Sequence, residues 1–442
     1  MYNIPVISRK VIKTMKKNYG DMTKVLHAGW KSDSATGASS LPIYLTSAYQ
    51  FKDSKHAARL FALEEDGHIY SRLTNPTVTA YEAQLSALEG GVGAVAFSSG
   101  QAAFTHLITC LCSQGDNVVS SNKVYGGTVT LLKNIFSRFG IETRFVDGDH
   151  PCKFEEAADE RTKLFITETI GNPLMNVAPL DTLGNIARRV GCPLVVDNTF
   201  APYLAKPLEH GANIVVYSAT KYISGQGTVV SGAVIDGGNF PWEDYPEKFP
   251  TLAVPDPSYH DINFAKQYHP AGLTAKLKAS IIRDLGGCPS PFDAWFLHTT
   301  ISNLPLRMER HSQNALEIAK FLENHPAVEW VLYPGLESHP HHDLAKVYLP
   351  KGASGMMAFS VKGGVEAGKK VLDNLELIGH MANLGDSHSI MTHPASTTHA
   401  QIPPAERAKA GITDGLIRFS VGIEDVADLK EELSRVLEIA SK

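Results

Sequence analysis

The sequence predicts an α/β protein, with a mostly parallel sheet in a large domain followed by a smaller α+β domain. Between residues 81 and 234, short apolar runs alternate with stretches of helical periodicity. The runs are apolar almost throughout, as expected for strands that are buried on both faces. Strands and helices that alternate in this way are typical of a parallel sheet covered by helices.

Six apolar runs are the expected strands of the large sheet: 93–97, 117–120, 141–146, 164–167, 194–196 and 214–217. Helices are expected between them, notably at 101–112 and 128–139. The first of these helices opens on the turn Ser98-Ser99-Gly100. The order of elements therefore predicts a sheet in which most strands run in the same direction.

The chain is long enough for two domains with connecting arms. We predict an N-terminal extension and arm (1–75), a large domain (76–300) and a C-terminal small domain (301–442). Within the large domain, segment 237–291 is rich in Pro, Gly and aromatic residues and is expected to be a loop-dominated insertion. The small domain should begin with an amphipathic helix at 306–322, whose apolar residues at helical spacing are Met308, Ala315, Ile318, Ala319 and Leu322.

The composition excludes several classes of partner. A formal net charge of -5 gives no reason to expect a nucleic-acid or anionic-membrane partner. No apolar run approaches the roughly 20 residues that span a bilayer. The five cysteines are odd in number and form no CxxC pair, so reduced thiols and a cytoplasmic location are expected.

The first twenty residues are basic, with Arg9, Lys10, Lys13, Lys16 and Lys17. A targeting peptide is one interpretation, but there is no apolar central region and little serine. A solvated, poorly ordered extension is the preferred prediction.

Polar or aromatic residues follow the expected strands, where α/β sheets bind their ligands. After the successive strands come Ser98-Ser99-Gly100-Gln101, Tyr125-Gly126-Gly127, Glu168 through Asn172-Pro173, Asp197, and Ser218-Ala219-Thr220-Lys221. Because the carboxyl ends of parallel strands share one edge, this convergence predicts a single site.

Lys221 is the candidate catalytic residue. An aldehyde cofactor held covalently by a lysine needs an amine that is neutral part of the time, and a dry pocket supplies this by lowering the pKa of the lysine. Ser218 and Thr220 beside it can donate to phosphate oxygens. A solvated surface lysine is the alternative, which the flanking hydroxyls and the distant Asp197 disfavour.

Asp197 ends the buried run Pro-Leu-Val-Val, and a buried carboxylate needs a partner. A protonated pyridine nitrogen is a good partner, because it keeps the ring an electron sink. A helix N-cap in Asp197-Asn198-Thr199 explains the residue equally well.

Ser99-Gly100-Gln101 lies at a strand-to-helix junction, where free N–H groups and the helix dipole favour an anion. Any βα turn could look like this, and no GxGxxG dinucleotide fingerprint occurs in the chain. Tyr125 could stack on a cofactor ring or simply pack at a strand end.

Together these motifs resemble the Cys/Met-metabolism family of pyridoxal-phosphate enzymes, from about His27 to the C-terminus. The most specific is the lysine signature Ser218-Ala-Thr-Lys221-Tyr-Ile-Ser-Gly-Gln-Gly-Thr with Ser231-Gly232. The others are Tyr70-Ser71-Arg72 with Asn75-Pro76-Thr77, Ser98-Ser99-Gly100, Asn172-Pro173, Val196-Asp197-Asn198-Thr199, His393-Pro394-Ala395-Ser396 and Arg418-Phe419-Ser420-Val421-Gly422.

The resemblance implies an aspartate-aminotransferase-like (fold type I) structure with pyridoxal 5'-phosphate on Lys221. Asp197 would pair with the pyridine nitrogen, Asn172 would face the phenolic oxygen, and Tyr125 would stack on the ring. The implied phosphate and cofactor contacts are Ser99, Gly100, Gln101, Thr199, Ser218 and Thr220, with Tyr70 and Arg72 reaching over from the neighbouring subunit. Arg418, with Asn383 beside it, would bind the substrate carboxylate, for which a guanidinium fork is suited.

Within the family, the chain is similar to the O-acetylhomoserine sulfhydrylases. The insertion with Pro255-Asp256-Pro257-Ser258-Tyr259-His260 is similar to theirs, Asn383 stands where the lyases usually have Ser, and Gly127 stands where methionine γ-lyases typically have a cysteine. The resemblance implies a γ-replacement that makes homocysteine and acetate for methionine biosynthesis. It also implies a homotetramer built from dimers with shared active sites.

Several alternatives stay open at this point. The sulfur donor could be sulfide, methanethiol or a thiocarboxylated carrier protein. A methionine γ-lyase or cystathionine γ-synthase would use the same scaffold. From other classes, a nicotinamide oxidoreductase is disfavoured by the missing glycine fingerprint, and a non-catalytic binding module would have no use for Lys221 with Asp197.

Histidines outside these motifs are expected to be structural. The cluster His339-Pro340-His341-His342-Asp343 could bind a metal, but a solvated loop is preferred and no metal site is predicted. His393 and His399 are expected to orient backbone or to hold the small domain together.

Overall fold

The computed structural model describes residues 19–65, 67–397 and 411–442. The basic residues from Arg9 to Lys17 and His399, for which predictions were made above, lie outside these ranges. Within them the chain forms one seven-stranded and one five-stranded sheet. The predicted domain boundaries are consistent with this division and stay predictions.

The large sheet has the strand order β1-β7-β6-β5-β4-β2-β3. Its strands are β1 Gly93–Phe97, β2 Asn117–Ser121, β3 Glu142–Val146, β4 Thr162–Glu168, β5 Leu194–Asp197, β6 Ile214–Tyr217 and β7 Gly232–Asp236. Strands β3, β2, β4, β5 and β6 are parallel, and β7 runs antiparallel to both β6 and β1. The prediction of a mostly parallel sheet is confirmed.

The central strands of this sheet are buried on both faces, which explains the uninterrupted apolar centres of β4 and β5. Successive side chains of a strand point to opposite faces. In β4, Leu164 and Ile166 join one apolar cluster, and Phe165 between them joins the other. In β5, Val195 and Val196 are divided between the two clusters in the same way.

Helices cover the faces of the large sheet and connect its strands, and others pack against the second sheet. In chain order they are α1 Asp21–His27, α2 Ser54–Phe61, α3 Pro76–Glu89, α4 Gly100–Leu111, α5 Gly126–Thr130, α6 Cys152–Glu156, α7 Leu180–Val190, α8 Pro250–Ala253, α9 Phe264–Gln267, α10 Gly272–Lys276, α11 Ile282–Leu285, α12 Pro291–Ile301, α13 Leu304–Glu323, α14 His342–Tyr348, α15 Gly364–Asp373 and α16 Val426–Ser441. A π-helical turn, Leu131–Ile135, and a 3₁₀ turn, Phe136–Phe139, extend α5.

The second sheet has the order β10-β11-β12-β9-β8. Its strands are β8 Val328–Leu332, β9 Met356–Val361, β10 Gly379–His380, β11 Ile390–Thr392 and β12 Leu416–Ser420. Helix α13 is the amphipathic helix predicted at 306–322, and its five expected core residues are all fully buried. His393 lies 2.7 Å from the carbonyl oxygen of Asp414 through Nε2, and therefore ties the backbone of this unit as predicted.

Short helices alternate with turns and irregular stretches in segment 237–291, which was predicted as a loop-dominated insertion. The segment carries α8 to α11, and a π-helical turn, Leu277–Ile281, joins α10 to α11. Phe249, Leu252 and Phe264 are fully buried in the same cluster as β4 and β5. The aromatic residues therefore form a helical cover for one face of the sheet, and this burial overrides the weak local helix signal of a Pro- and Gly-rich sequence.

The prediction of a solvated loop at 339–343 fails at His339, whereas Pro340 and Asp343 are exposed as expected. His339 is buried, and this burial lowers its pKa to about 4. Nδ1 of His341 accepts the N–H of Val177 at 3.0 Å, so this turn packs against the segment that connects β4 to α7. A single sequence does not reveal such a long-range contact.

Three further observations concern the described residues only. No group of three or more His, Cys, Asp or Glu residues is arranged to hold a metal ion. No helix in these ranges has the length and apolar character to cross a membrane. All five cysteines are free.

Candidate active site

A cavity of about 380 Å³ lies at the edge of the large sheet where the parallel strands end. This volume is within the range of small-ligand sites. Twelve of the fourteen predicted site residues line it: Ser99, Gly100, Gln101, Tyr125, Asn172, Asp197, Thr199, Ser218, Thr220, Lys221, Asn383 and Arg418. The structure thus brings together residues from five strand ends of one sheet and a strand and loop of the other.

One side of the cavity is an anion cradle at the N-terminus of α4. Ser99 caps this helix, since its hydroxyl accepts the N–H of Ala102 at 3.0 Å. At Gly100 the backbone approaches Ser218 so closely that a Cβ would lie 2.9 Å from the Ser218 Cβ. The free N–H groups of the first turn and the helix dipole favour an anion at this place.

Hydroxyl groups complete the cradle. Oγ1 of Thr220 accepts the N–H of Ser231 at 3.0 Å, which holds the turn before Lys221 in place. The Thr199 hydroxyl accepts the N–H of Ser218 at 2.9 Å and so joins the ends of β5 and β6. Backbone N–H groups and hydroxyls are the donors that a phosphate ester needs.

Lys221 projects into the cavity from the turn after β6. Its Nζ donates a hydrogen bond to Oδ1 of Asn383 at 2.6 Å. Burial, and then the positive charge of Arg418, lower the pKa of Lys221 to about 8. Part of the Lys221 population is therefore neutral near physiological pH, as a nucleophilic amine must be.

Arg418 lies on β12 and faces Lys221 across the cavity. Its Nη2 donates to the main-chain oxygen of Asn383 at 3.1 Å. Burial lowers the pKa of Arg418, yet an arginine stays charged at any physiological pH. Asn383 thus presents its side-chain oxygen to the lysine and its backbone oxygen to the arginine.

Asp197 lies at the end of β5 and does not cap a helix, because turns follow it in the structure. Its carboxylate accepts the N–H of Thr199 at 2.9 Å and also the Thr199 hydroxyl. Burial nevertheless raises the pKa of Asp197 to about 6. A cationic partner in the cavity would restore its charge.

Tyr125 stands at the start of α5 with its side chain 49% exposed. Its N–H donates to Oε1 of Glu168 at 2.6 Å. Glu168 lines the cavity but was not predicted as a site residue, although it follows a strand just as Asp197 does. Burial, and then the charge of Asp197, raise the pKa of Glu168 well above its usual range.

The remaining lining residues are mostly apolar: Phe104, Thr128, Ile170, Phe200, Val230, Ala382 and Leu384. They were not predicted, because nothing in the sequence distinguishes an apolar residue that lines a cavity from one in the core.

Tyr70 and Arg72 are the two predicted site residues that do not line the cavity. Both are exposed, and the Arg72 guanidinium lies 5.3 Å from the centroid of the Tyr70 ring. Within one chain they therefore make no contribution to the site.

The arrangement suits one class of protein. A partly neutral lysine, a buried carboxylate and an anion cradle around one cavity are what an enzyme with a phosphorylated aldehyde cofactor requires. The observed donors fit pyridoxal phosphate, because the cradle suits its phosphate and Asp197 suits its pyridine nitrogen.

Comparison with known proteins agrees with this class. Residues 22–438 match the family profile described as Cys/Met metabolism PLP-dependent enzyme. The O-acetyl-L-homoserine sulfhydrylase of Leptospira meyeri is 44% identical, over 96% of this chain and 98% of its own length. The homocysteine/cysteine synthase of Saccharomyces cerevisiae is 45% identical, over 94% and 97%.

A crystal structure from Campylobacter jejuni, titled an O-acetylhomoserine (thiol)-lyase, superposes with a TM-score of 0.90. It is 38% identical, covers 95% of this chain and all of its own, and contains N'-pyridoxyl-lysine-5'-monophosphate. The chain belongs to the Cys/Met metabolism family of PLP-dependent enzymes. It is a pyridoxal-phosphate enzyme of the aspartate-aminotransferase-like fold, as its sequence implied.

Proposed function

We propose that the protein is an O-acetylhomoserine sulfhydrylase, which replaces the acetyl group of O-acetylhomoserine by sulfur and releases homocysteine and acetate. The observation that carries this proposal is the cavity in which Lys221, Asp197 and Arg418 converge. Two relatives named O-acetyl-L-homoserine sulfhydrylase, each 44% identical over nearly the whole chain, support the choice of substrate.

The family resemblance suggests the cofactor contacts, and the lining of the cavity supports them. Lys221 would hold the aldehyde carbon, Asp197 the pyridine nitrogen and Asn172 the phenolic oxygen, with Tyr125 on the ring. The cradle formed by Ser99, Gly100, Gln101, Ser218 and Thr220 would hold the phosphate, and Thr199 orients Asp197. When bound, pyridoxal phosphate withdraws electrons from Cα of the substrate and stabilises the negative charge that proton loss leaves there.

The chain's own residues bind the substrate and move its protons. The guanidinium of Arg418 binds the substrate carboxylate, with Asn383 beside it. With the cofactor bound, the neutral Nζ of Lys221 would take the proton from Cα and pass it to the electron sink before it takes a second proton from Cβ. Acetate would leave as the C–O bond at Cγ breaks, with Tyr125 as proton donor, and the thiol of the sulfur donor would form the new bond to Cγ and give its proton to Tyr125. Lys221 would return the other protons.

The competing activity of a methionine γ-lyase is disfavoured by a contact at Gly127. A Cβ at this position would lie 2.3 Å from Cε1 of Tyr125 and 2.8 Å from Nε2 of Gln101. A cysteine here is therefore incompatible with the observed position of the Tyr125 ring.

We further propose that two subunits share each site. Tyr70 and Arg72 would reach the partner's phosphate cradle, since they are exposed and remote from their own cavity. The assembly would be a homotetramer of such dimers in the cytoplasm. The sulfur donor is sulfide or another donor, such as a thiocarboxylated carrier protein.

Product analysis tests the proposal. The purified enzyme is incubated with acetylated, succinylated or phosphorylated homoserine, each with sulfide or cysteine. We expect homocysteine and acetate from O-acetylhomoserine with sulfide, at a higher kcat/KM than any other pair. Faster formation of cystathionine, or cleavage of methionine at comparable efficiency, would assign the chain to the synthase or the lyase instead.

A further inference from the structure

One carboxyl group at the cavity, Glu168, has no part in the contacts proposed so far. It is the last residue of β4, and the strand pairing places it directly opposite Asp197 of β5. Neighbouring strands lie roughly 4.8 Å apart, so the two carboxyl groups end side by side. Glu168 is 8% exposed, and little water is available to separate two negative charges.

The two carboxyl groups have different hydrogen-bond partners. Asp197 accepts both the N–H and the hydroxyl of Thr199. Glu168 accepts the N–H of Tyr125 at Oε1, at 2.6 Å. Each carboxyl group is therefore held in place by its own donor residue, Asp197 by Thr199 and Glu168 by Tyr125. Like charges this close and this buried disfavour each other, so one of the two binds a proton.

The surroundings decide which group is protonated. No Lys, Arg or His in the described ranges makes a salt bridge with Glu168. Lys123 borders a small cavity next to it, but its ammonium lies 3.7 Å from Asp147 and 3.5 Å from Asp149. The other ionisable groups that face Glu168 belong to the main cavity: Asp197, Tyr125, Lys221 and Arg418.

Burial raises the pKa of Glu168 well above its usual range, and the charge of Asp197 adds to this. The pKa of Asp197 is raised only to about 6, since two donors of Thr199 offset its burial. The pyridine nitrogen of a bound cofactor would further favour the negative charge on Asp197 over a negative charge on Glu168.

We propose that Glu168 is a positioning residue that works as a neutral carboxylic acid. Its Oε1 fixes the backbone of Tyr125 and hence the place of the Tyr125 ring at the cavity. Its proton leaves the negative charge of the pair on Asp197, where the cofactor's pyridine nitrogen needs it. This inference rests on the proposed contact between Asp197 and the cofactor.

Two substitutions separate the parts of this proposal. Glu168→Gln keeps an acceptor oxygen and carries no charge, whereas Glu168→Met has a similar length and no acceptor. Binding of pyridoxal phosphate to the cofactor-free protein is followed by quenching of protein fluorescence, and kcat and KM are measured on the loaded enzyme.

We expect the Gln variant to keep its cofactor Kd and kcat within about threefold of wild type, because the neutral hydrogen bond survives. In the Met variant the N–H of Tyr125 loses its partner, and cofactor affinity should fall about tenfold. A Gln variant as damaged as the Met variant would mean that the charge of Glu168 is required. If the Met variant bound the cofactor as tightly as the Gln variant, the positioning role of Glu168 would be contradicted.

A measurement on the wild-type holoenzyme does not depend on the variants' folding. At neutral pH the infrared spectrum should contain a carbonyl band of a protonated carboxylic acid that is missing from the spectrum of the Glu168→Gln variant. Absence of this band overturns the inference even if the enzyme makes homocysteine. A present band in an enzyme that makes no homocysteine would instead count against the proposed function alone.

Discussion

Lys221 and Asn383 are 162 residues apart in the chain, and the Nζ of Lys221 lies 2.6 Å from the Asn383 Oδ1. The bond joins the turn after β6 of the large sheet to the loop before β11 of the small one. Because Asn383 also binds Arg418 through its backbone oxygen, the lysine and the arginine are placed by one residue.

Lys221→Ala should abolish turnover and leave the fold intact. The amine is the base in the proposed reaction, and loss of a general base costs about 10²–10⁴-fold in rate. Homocysteine release measures turnover, and circular dichroism checks the fold. The control is Lys346→Ala, because Lys346 is exposed and pairs with the exposed Asp343 in its own helix. Retained activity in the Lys221 variant would refute the cofactor assignment.

The rate of cofactor capture by the cofactor-free protein should rise with pH through about 8. Only the neutral amine of Lys221 attacks the aldehyde, and its pKa is about 8 because of burial and the charge of Arg418. Asn383→Ala removes an acceptor that stabilises the charged amine, so its midpoint should move to lower pH. Stopped-flow absorbance at a series of pH values measures both midpoints; an upward shift in the variant contradicts the assignment.

Asp197→Asn should keep some bound cofactor and lose most activity. Without a carboxylate the pyridine nitrogen is not held protonated, and breaking such a buried charge pair costs about a hundredfold or more. The variant's kcat is compared with that of Asp343→Asn, where the aspartate is exposed. A near-wild-type kcat would rule out the electron-sink role of this residue.

Gly127→Cys should lower activity with O-acetylhomoserine by about tenfold, since the new Cβ forces the Tyr125 ring to move. Gly126→Cys is the matched control, because nothing lies within 4 Å of a Cβ built there. The kcat/KM for O-acetylhomoserine, with sulfide as donor, is measured for both variants and compared. Equal activity in the two would show that the Tyr125 ring has no fixed place in the reaction.

Shared sites predict complementation between Lys221→Ala and Arg72→Ala. In a mixed dimer one site has both lesions and the other has neither. Random pairing gives about half mixed dimers, so roughly a quarter of all sites should recover. Lys221→Ala with Asp197→Asn is the control, because both residues line the cavity of their own chain and no site escapes a lesion. No recovery in proven Lys221/Arg72 mixed dimers would exclude sharing.

Much of the large domain could be predicted from local pattern. Residues 164–166 and 194–196 are all apolar, which is the pattern expected of a strand that is buried on both faces. The polar residues after those strands could also be predicted to lie in one site, because the carboxyl ends of parallel strands meet at one edge. Ten of the predicted residues that line the cavity follow strands of the large sheet and meet for this reason.

The failures come from contacts between distant segments. His339 looked solvated because its neighbours are polar, yet the turn that contains it packs against Val177. In segment 237–291 Pro and Gly surround the aromatic residues, so the sequence contained no signal for the short helices that cover one face of the sheet. Burial by distant segments decided both cases, and a local pattern does not show what a segment will cover.

The sequence by itself determined six of the seven strands of the large sheet and the residues at their ends, since both depend on neighbours along the chain, whereas β7 (Gly232–Asp236) was not predicted. Only the tertiary structure decided that β4 lies beside β5, and hence that Glu168 meets Asp197. Only it decided that Asn383 bridges Lys221 and Arg418. Strand order and domain packing set these distances, and the pKa of each group follows from its neighbours in space and from its burial.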